Sequence, residues 1–164
     1  MPMSIIALGA NLPGQFPSPA EAVEAGLLAI RSDDLRLVAR SRLYRSAAWP
    51  DPAHPEFVNA VALFATDLSA ASLLERLHAI ESEFGRERRE ANAPRPLDLD
   101  VIDHDGLVSA PGDVPVLPHP RMAERAFVLL PLAEICPGWR HPANGRGLAE
   151  LIAALPESAV ATPL

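Results

Sequence analysis

The chain has 164 residues, 49% of them apolar, and carries a formal net charge of −7. That is enough chain and apolar content for a real core, which excludes a disordered protein, and too acidic a balance for a general nucleic-acid binder. All fourteen basic residues are arginine, which excludes a P-loop and lysine Schiff-base chemistry, because both need a lysine.

No apolar run approaches the ~20 residues that span a bilayer. The opening stretch, Met1-Pro2-Met3-Ser4-Ile5-Ile6, has no basic region and only a short apolar run, unlike a signal peptide. The single cysteine, Cys136, rules out an intramolecular disulfide. The expectation is one domain over residues 1–164, cytoplasmic, with no membrane or nucleic-acid partner.

Ser4 to Gly9 is a short apolar run and reads as a buried first strand, ending in a turn at Gly9-Ala10-Asn11-Leu12. Ser18-Pro19-Ala20-Glu21 has an N-cap serine, a proline at the first helical position and a glutamate closing a capping box. It predicts a helix to about Arg31 that buries Val23, Leu27 and Ile30. Alternation from Leu35 onward predicts a second strand reaching roughly Arg45. A loop with Pro50, Pro52 and Pro55 follows; such loops often carry function. Phe57 to Thr66 reads as a third strand, with Asn59 polar inside it: either a core amide bonded to backbone or a ligand contact.

Ser69 caps a second helix, about Ala70 to Phe84, with a stripe of Leu73, Leu74, Leu77, Ile80 and Phe84, and Gly85 ends it. A fourth strand runs from Leu97 to about Asp103. Asp105-Gly106 is a hairpin-type turn, after which Leu107 and Val108 are expected to pair back. Asp103 and His104 read as turn residues rather than metal ligands. Prolines 111, 115, 118 and 120 punctuate the loop that follows, and Pro131 is expected to break or kink the apolar helical region after Met122. A last amphipathic helix, about Leu148 to Leu155, precedes a tail expected to fray. The order β-α-β-β-α-β predicts an α+β, ferredoxin-like sandwich: an antiparallel sheet with helices on one face and a helical C-terminal extension.

The stretch Arg95-Pro96-Leu97-Asp98-Leu99-Asp100 carries the chemistry. In a strand, Leu97, Leu99 and Val101 face a core while Asp98 and Asp100 share the opposite face, about 7 Å apart. An Asp-x-Asp pair alone is more often a solvated strand face. Here four arginines, Arg86, Arg88, Arg89 and Arg95, stand just upstream. Paired carboxylates suit Mg2+ shared with substrate phosphates, and arginine forks match phosphate oxygens. Together they point to phosphoryl-type transfer from a nucleotide.

Six motifs in order resemble the 6-hydroxymethyl-7,8-dihydropterin pyrophosphokinase family. Gly9-Ala10-Asn11-Leu12 is similar to its Gly-Ser-Asn-Leu. Tyr44-Arg45-Ser46 is similar to its Tyr-x-Thr, and Phe57-Val58-Asn59-Ala60 to its aromatic-x-Asn-x. Ile80-Glu81 with Gly85-Arg86 resembles the end of its second helix. Arg95 to Asp100 resembles its Arg-x-x-Asp-x-Asp. Pro118-His119-Pro120-Arg121-Met122 and Arg125-Ala126-Phe127 resemble its Pro-His-x-x-Met and Arg-x-Phe. The resemblance covers roughly residues 4 to 155.

That resemblance implies transfer of pyrophosphate from ATP to a pterin alcohol in folate biosynthesis, giving AMP. It implies two Mg2+ ions on Asp98 and Asp100, and Arg86 and Arg95 as catalytic cations. His78, Arg88, Val101, His119 and Arg125 would lie along ATP. Ser46, Ala47, Trp49, Phe57, Asn59 and Phe127 would line the pterin slot, with Phe57 and Phe127 suited to sandwiching a flat ring. The partners are small-molecule substrates, ATP and the pterin alcohol, and a monomer is expected. The chain departs from the family in Glu90-Ala91-Asn92-Ala93-Pro94, which lacks the loop tryptophan, in Ser46-Ala47-Ala48 for Thr-Pro-Pro, in His78 for a glutamine and in Pro120. These departures bear on loop closure and turnover rate. They keep open a non-catalytic pterin- or nucleotide-binding module, or a partner of another folate enzyme. A metal-dependent phosphohydrolase using Asp98 and Asp100 is the third alternative.

Overall fold

A computed structural model describes the whole chain except Met1, Pro13, residues 48–52, His54 and residues 86–95. In chain order the elements are β1 (Met3–Ala10), α1 (Pro19–Ile30), β2 (Arg36–Arg40), β3 (Tyr44–Ser46), β4 (Phe57–Ala65), α2 (Ala70–Glu83), β5 (Asp98–His104), a 3-10 turn (Met122–Glu124), α3 (Ala126–Ile135), α4 (Leu148–Ala153) and β6 (Thr162–Pro163). The strands form one six-stranded sheet in the order β5-β1-β4-β3-β6, with β2 also paired to β4. Every pairing is antiparallel. The fold is α+β.

Both first helices start as their caps predict. The Ser18 hydroxyl accepts from Glu21 N–H and the Ser69 hydroxyl from Ser72 N–H, satisfying donors that a helix start leaves without partners. Gly85 closes α2 at φ 87°, a left-handed conformation that glycine takes without strain. Helices α1 and α2 bury Val23, Leu27, Leu73 and Leu77 against Ile6, Leu8 and Leu99 on one face of the sheet. Helices α3 and α4 do the same on the opposite face, with Leu129, Leu132 and Leu151 over Ile5, Val61 and Ile102. The C-terminal extension is therefore a second layer, and helices lie on both faces rather than one. Among the described residues, α3 covers only part of that face, and Gly9, Asp98 and Asp100 line a cleft beside it.

The expected second strand is two strands, β2 and β3. The break is at Ser41, whose hydroxyl accepts from Val61 N–H while its own N–H donates to Val61 C=O, so a side chain replaces a rung of the ladder. A bulge at Val38 shifts the β2 register as well.

Pro131 does not break its helix: α3 runs through it. Proline costs the helix one hydrogen bond, and the burial of Val128, Leu129 and Leu132 on either side outweighs that loss. The Asp105-Gly106 turn forms, with φ 54° and 70° and Leu107 N–H donating to His104 C=O. Leu107 and Val108 do not pair back, however, and are more than half exposed. Instead Ser109 bonds across the loop to Leu117 through both its N–H and its hydroxyl, and His119 N–H donates to Ile102 C=O at the edge of β5.

The tail after Leu155, expected to fray, is also placed. Residues Thr162 and Pro163 pair with Arg45 and Tyr44, Leu164 N–H donates to Leu43 C=O, and Ala161 is buried. The added strand covers an edge of β3 whose backbone groups would otherwise lack partners.

Candidate active site

The register of β1 builds the floor. Gly9 pairs with Asn59 on one side and Asp98 on the other, and Ala7 pairs with Val61 and Asp100. Side chains on paired residues share a face, so Asp98, Gly9 and Asn59 stand in a row across three strands. The row spans two strand spacings, roughly 10 Å. It opens into a cleft of about 730 Å3, a size typical of ligand sites, ~300–1,000 Å3.

At one end the cleft is lined by Asp98, Asp100 and Arg125. Both aspartates are half-buried, on the sheet face opposite Leu97, Leu99 and Val101, which lie in the core. Arg125 Nη1 stands 3.8 Å and His119 Nε2 3.9 Å from Asp100 Oδ2, longer than direct hydrogen bonds. The Arg125 guanidinium also lies 5.4 Å from the centre of the Phe127 ring, within cation–π range. Burial, with Arg125 and Arg121 nearby, pulls the His119 pKa down to about 4, against the opposite pull of Asp98. His119 is therefore neutral at neutral pH. Its Nδ1 accepts from Arg121 N–H, which leaves the ring proton on Nε2, facing Asp100.

At the other end the cleft is lined by Ser46, Ala47, Phe57, Asn59 and Phe127. Asn59 is 3% exposed and Ser46 6%. The Asn59 amide nitrogen donates to Ser46 Oγ at 2.9 Å, which fixes the amide's orientation. A Cβ built on Gly9 would lie 3.0 Å from Asn59 Oδ1. Glycine is what leaves room for the amide oxygen over β1.

Not every expected site residue lines this cleft. His78 is exposed on α2, and Val101 is buried in the core, so only its backbone faces outward. His119 is not among the lining residues, although its Nε2 is 3.9 Å from Asp100 Oδ2. Trp49, Arg86, Arg88 and Arg95 lie outside the described residues. The structure adds Gly9 and Ala7 at the floor and Arg121 and Glu124 on the wall. Arg121 had a signal, as a basic residue two positions after His119; Glu124 had none. Among the described residues, no group of His, Cys, Asp and Glu is gathered closely enough to hold a metal alone.

Comparison with known proteins bears on this geometry. The model of the 7,8-dihydro-6-hydroxymethylpterin-pyrophosphokinase family matches residues 5–137. The chain belongs to that family. It is 44% identical over 154 residues to the 2-amino-4-hydroxy-6-hydroxymethyldihydropteridine pyrophosphokinase of Pseudomonas aeruginosa, covering 92% of this chain and 90% of that protein. It is 38% identical over 137 residues to the protein of the same name from Methylorubrum extorquens, covering 84% of each. Among solved structures, wild-type HPPK-DHPS of Plasmodium falciparum matches with a TM-score of 0.68 over 93% of this chain, at 11% identity. The chain spans 44% of that longer protein, and at this identity the likeness is one of fold.

Proposed function

We propose that the cleft is the site at which this pyrophosphokinase brings its two substrates together. As a member of its family, the chain transfers pyrophosphate from ATP to the hydroxymethyl group of 6-hydroxymethyl-7,8-dihydropterin in folate synthesis. The hydroxymethyl oxygen forms a bond to the β-phosphorus, and the bond from that phosphorus to the α–β bridging oxygen breaks. AMP leaves, the hydroxyl proton passes to water, and the pterin diphosphate remains.

The observation that carries the placement is the row Asp98–Gly9–Asn59. Asn59 and Ser46, locked together, offer the polar edge of the pterin a fixed acceptor and donor. Phe57 and Phe127 supply flat apolar walls, and Ala47 and Trp49 complete the slot in this reading. Two strands away, Asp98 and Asp100 fit Mg2+. Their donor atoms are all oxygen, they share one face, and they are too few to hold the ion without substrate phosphates. When bound, Mg2+ would neutralise triphosphate charge and fix its geometry. We assign two ions to this pair.

Arg125, stacked on Phe127, joins the two ends of the cleft: it can meet a phosphate oxygen while its ring partner packs on the pterin. Neutral His119 can donate from Nε2 to the carboxylate or to a phosphate, and so holds the aspartate end without adding charge. His78, Arg88 and the Val101 backbone are assigned to ATP, and Arg86 and Arg95 to the transferring phosphates, where cations stabilise developing charge.

The strand order supports a ferredoxin-like reading, with β1 between β4 and β5 and two helices crossing one face. We read residues 1–164 as one pyrophosphokinase domain, monomeric and cytoplasmic. Among the described residues no helix is long and apolar enough to cross a membrane. The test is incubation with ATP, Mg2+ and the pterin alcohol. Pterin-dependent AMP is the expected product. ADP, or binding of both substrates without AMP, overturns the reading.

A further inference from the structure

We infer that Ala7 is a size gate for the transfer. Its single methyl keeps the floor of β1 low enough for the hydroxymethyl carbon and the attacked phosphorus to meet above it, and so sets how much bulk the alcohol can carry at that carbon. The inference rests on the reading that the pterin lies at Asn59 and the phosphates at Asp98 and Asp100, and deepens it with a residue at the junction between them.

The strand register aims this side chain. Ala7 pairs with Val61 on β4 and with Asp100 on β5. Directly paired residues share a face, so the Ala7 methyl stands on the face that carries the Asp100 carboxylate. The irregularity in the β1–β5 pairing falls between Ile5 and Ile6, before this stretch, so the register from Ala7 to Gly9 is unbroken. Leu8, between the two, points the other way into the core under α1 and α2 and is 2% exposed.

On the cleft face the side chains of β1 shrink along the strand. Ile5 is buried in the cluster under α3 and α4. Ala7 packs in the same cluster, is 9% exposed and borders the cleft. Gly9 has no side chain. These two small residues leave a trough across β1, between β4 and β5. The part over Gly9 is already filled, because Asn59 Oδ1 lies 3.0 Å from where a Cβ on Gly9 would be. The floor left for substrate is Ala7.

The transfer needs that floor. Asn59 and Asp98 stand on the strands either side of β1, roughly 10 Å apart. A pterin held at one and a triphosphate held at the other meet over β1, where reacting atoms must come within about 3–3.5 Å. A branched side chain at position 7 would push atoms into that gap, and a displacement of about 1 Å is enough to cost ~100-fold in rate. Ala7 offers no polar group to either substrate; it acts by what it leaves empty.

The experiment compares the full-length wild type with Ala7→Val and Ala7→Gly, with circular dichroism and melting temperature recorded for each. Binding of 6-hydroxymethyl-7,8-dihydropterin is followed by its fluorescence and binding of an ATP analogue by calorimetry, each alone and then with the other present. In Ala7→Val each ligand alone binds within about twofold of wild type, the second binds roughly tenfold more weakly once the first is in place, and kcat falls by roughly tenfold or more. Ala7→Gly is assayed with the natural alcohol and with 6-(1-hydroxyethyl)-7,8-dihydropterin, which carries one more methyl on the reacting arm. Its kcat/KM for the branched alcohol relative to the natural one rises roughly fivefold over wild type. A folded Ala7→Val protein that keeps wild-type kcat, or that loses affinity for one substrate alone, overturns the inference. If Ala7→Val does not fold, Ala7→Gly decides, and an unchanged preference between the two alcohols overturns it. Asn59→Ala runs in parallel. If it weakens pterin while both Ala7 variants behave as wild type, the gate is wrong and the slot stands. If Asn59→Ala binds pterin normally, the slot itself is misplaced.

Discussion

Gly9 and Asn59 face each other across the β1–β4 pair, and there is no room between them for one more carbon: a Cβ on Gly9 would meet Asn59 Oδ1 at 3.0 Å. The amide cannot simply rotate away, because its nitrogen is held by Ser46 Oγ at 2.9 Å. Gly9→Ala should therefore displace the amide and damage the pterin end. The expected result is a pterin KM raised about tenfold, or ~1.4 kcal/mol, with ATP affinity close to wild type. Overpacking of this kind costs ~1–3 kcal/mol in stability, so thermal denaturation should be measured alongside the kinetics. Normal pterin affinity in a folded Gly9→Ala protein contradicts the assignment of Asn59.

At the other end of the row, Asp98→Ala and Asp100→Ala test the carboxylate pair. Each removes one of two oxygen donors that share the open face of β5. Loss of a preorganised electrostatic contact of this kind costs ~3 kcal/mol or more, a hundredfold or more in kcat. Both side chains are half-exposed and neither lies in the core, so circular dichroism and melting temperature should stay near wild type. Near-native turnover in both variants would remove the metal assignment.

Acid sensitivity has a separate structural source in Glu134, which ties α3 to the start of β3. Its carboxylate accepts from Arg42 N–H at 2.8 Å, Arg42 Nε at 3.1 Å and Tyr44 OH at 2.8 Å. Burial alone would push its pKa up, but these three donors together hold it below its ordinary 4.5. The unfolded chain therefore binds more protons near and below that pH, and the contribution of Glu134 to stability is present above about 4.5 and fades as pH falls further. Glu134→Gln should lose stability at neutral pH and show a shallower acid slope than wild type in urea melts. An unchanged slope would place the acid sensitivity elsewhere.

What is legible in the sequence, and what is not, divides along the range of the forces involved. Capping serines at 18 and 69 mark α1 and α2 because a cap is made by residues three apart. The alternation from Leu97 to Val101 separates core from cleft because a strand has period two. The single strand expected from Leu35 to Arg45 fails at Ser41, whose hydroxyl bonds to Val61, a residue twenty positions away. Pro131 reads as a helix breaker locally, and the burial that overrides it comes from the sheet. The tail after Leu155 has no local signal for order; its partners are Tyr44 and Arg45, with 117 positions between Arg45 and Thr162. The site follows the same rule. Asp98, Asp100, Asn59 and Phe127 are readable from motifs, whereas the place of Gly9 as a spacer exists only once strands are paired.

The last prediction concerns what holds Asp98 and Asp100 in place. Among the described residues strand β5 is an edge of the sheet, and its outer backbone groups face no neighbouring strand there. Leu99, between the two aspartates, donates its N–H to Glu81 Oε2 at 2.8 Å. Glu81 is 2% exposed at the end of α2, so a helix side chain takes the place of a neighbouring strand at the residue that sets the spacing of the pair. In Glu81→Ala that N–H is left buried without a partner, which costs ~1–3 kcal/mol. Glu81→Gln keeps an oxygen acceptor of the same length and should recover most of the stability. Through the strand, both aspartates lose their fixed register in the alanine variant, so kcat should fall at least tenfold and the Mg2+ concentration giving half-maximal rate should rise. Pterin affinity, which we assign to Asn59 two strands away, should hold. Activity assays against Mg2+ concentration, with pterin fluorescence titrations on the same samples, separate these outcomes. A stability loss in Glu81→Ala without any change in Mg2+ dependence would show that Glu81 secures α2 to the sheet and does not position the aspartates.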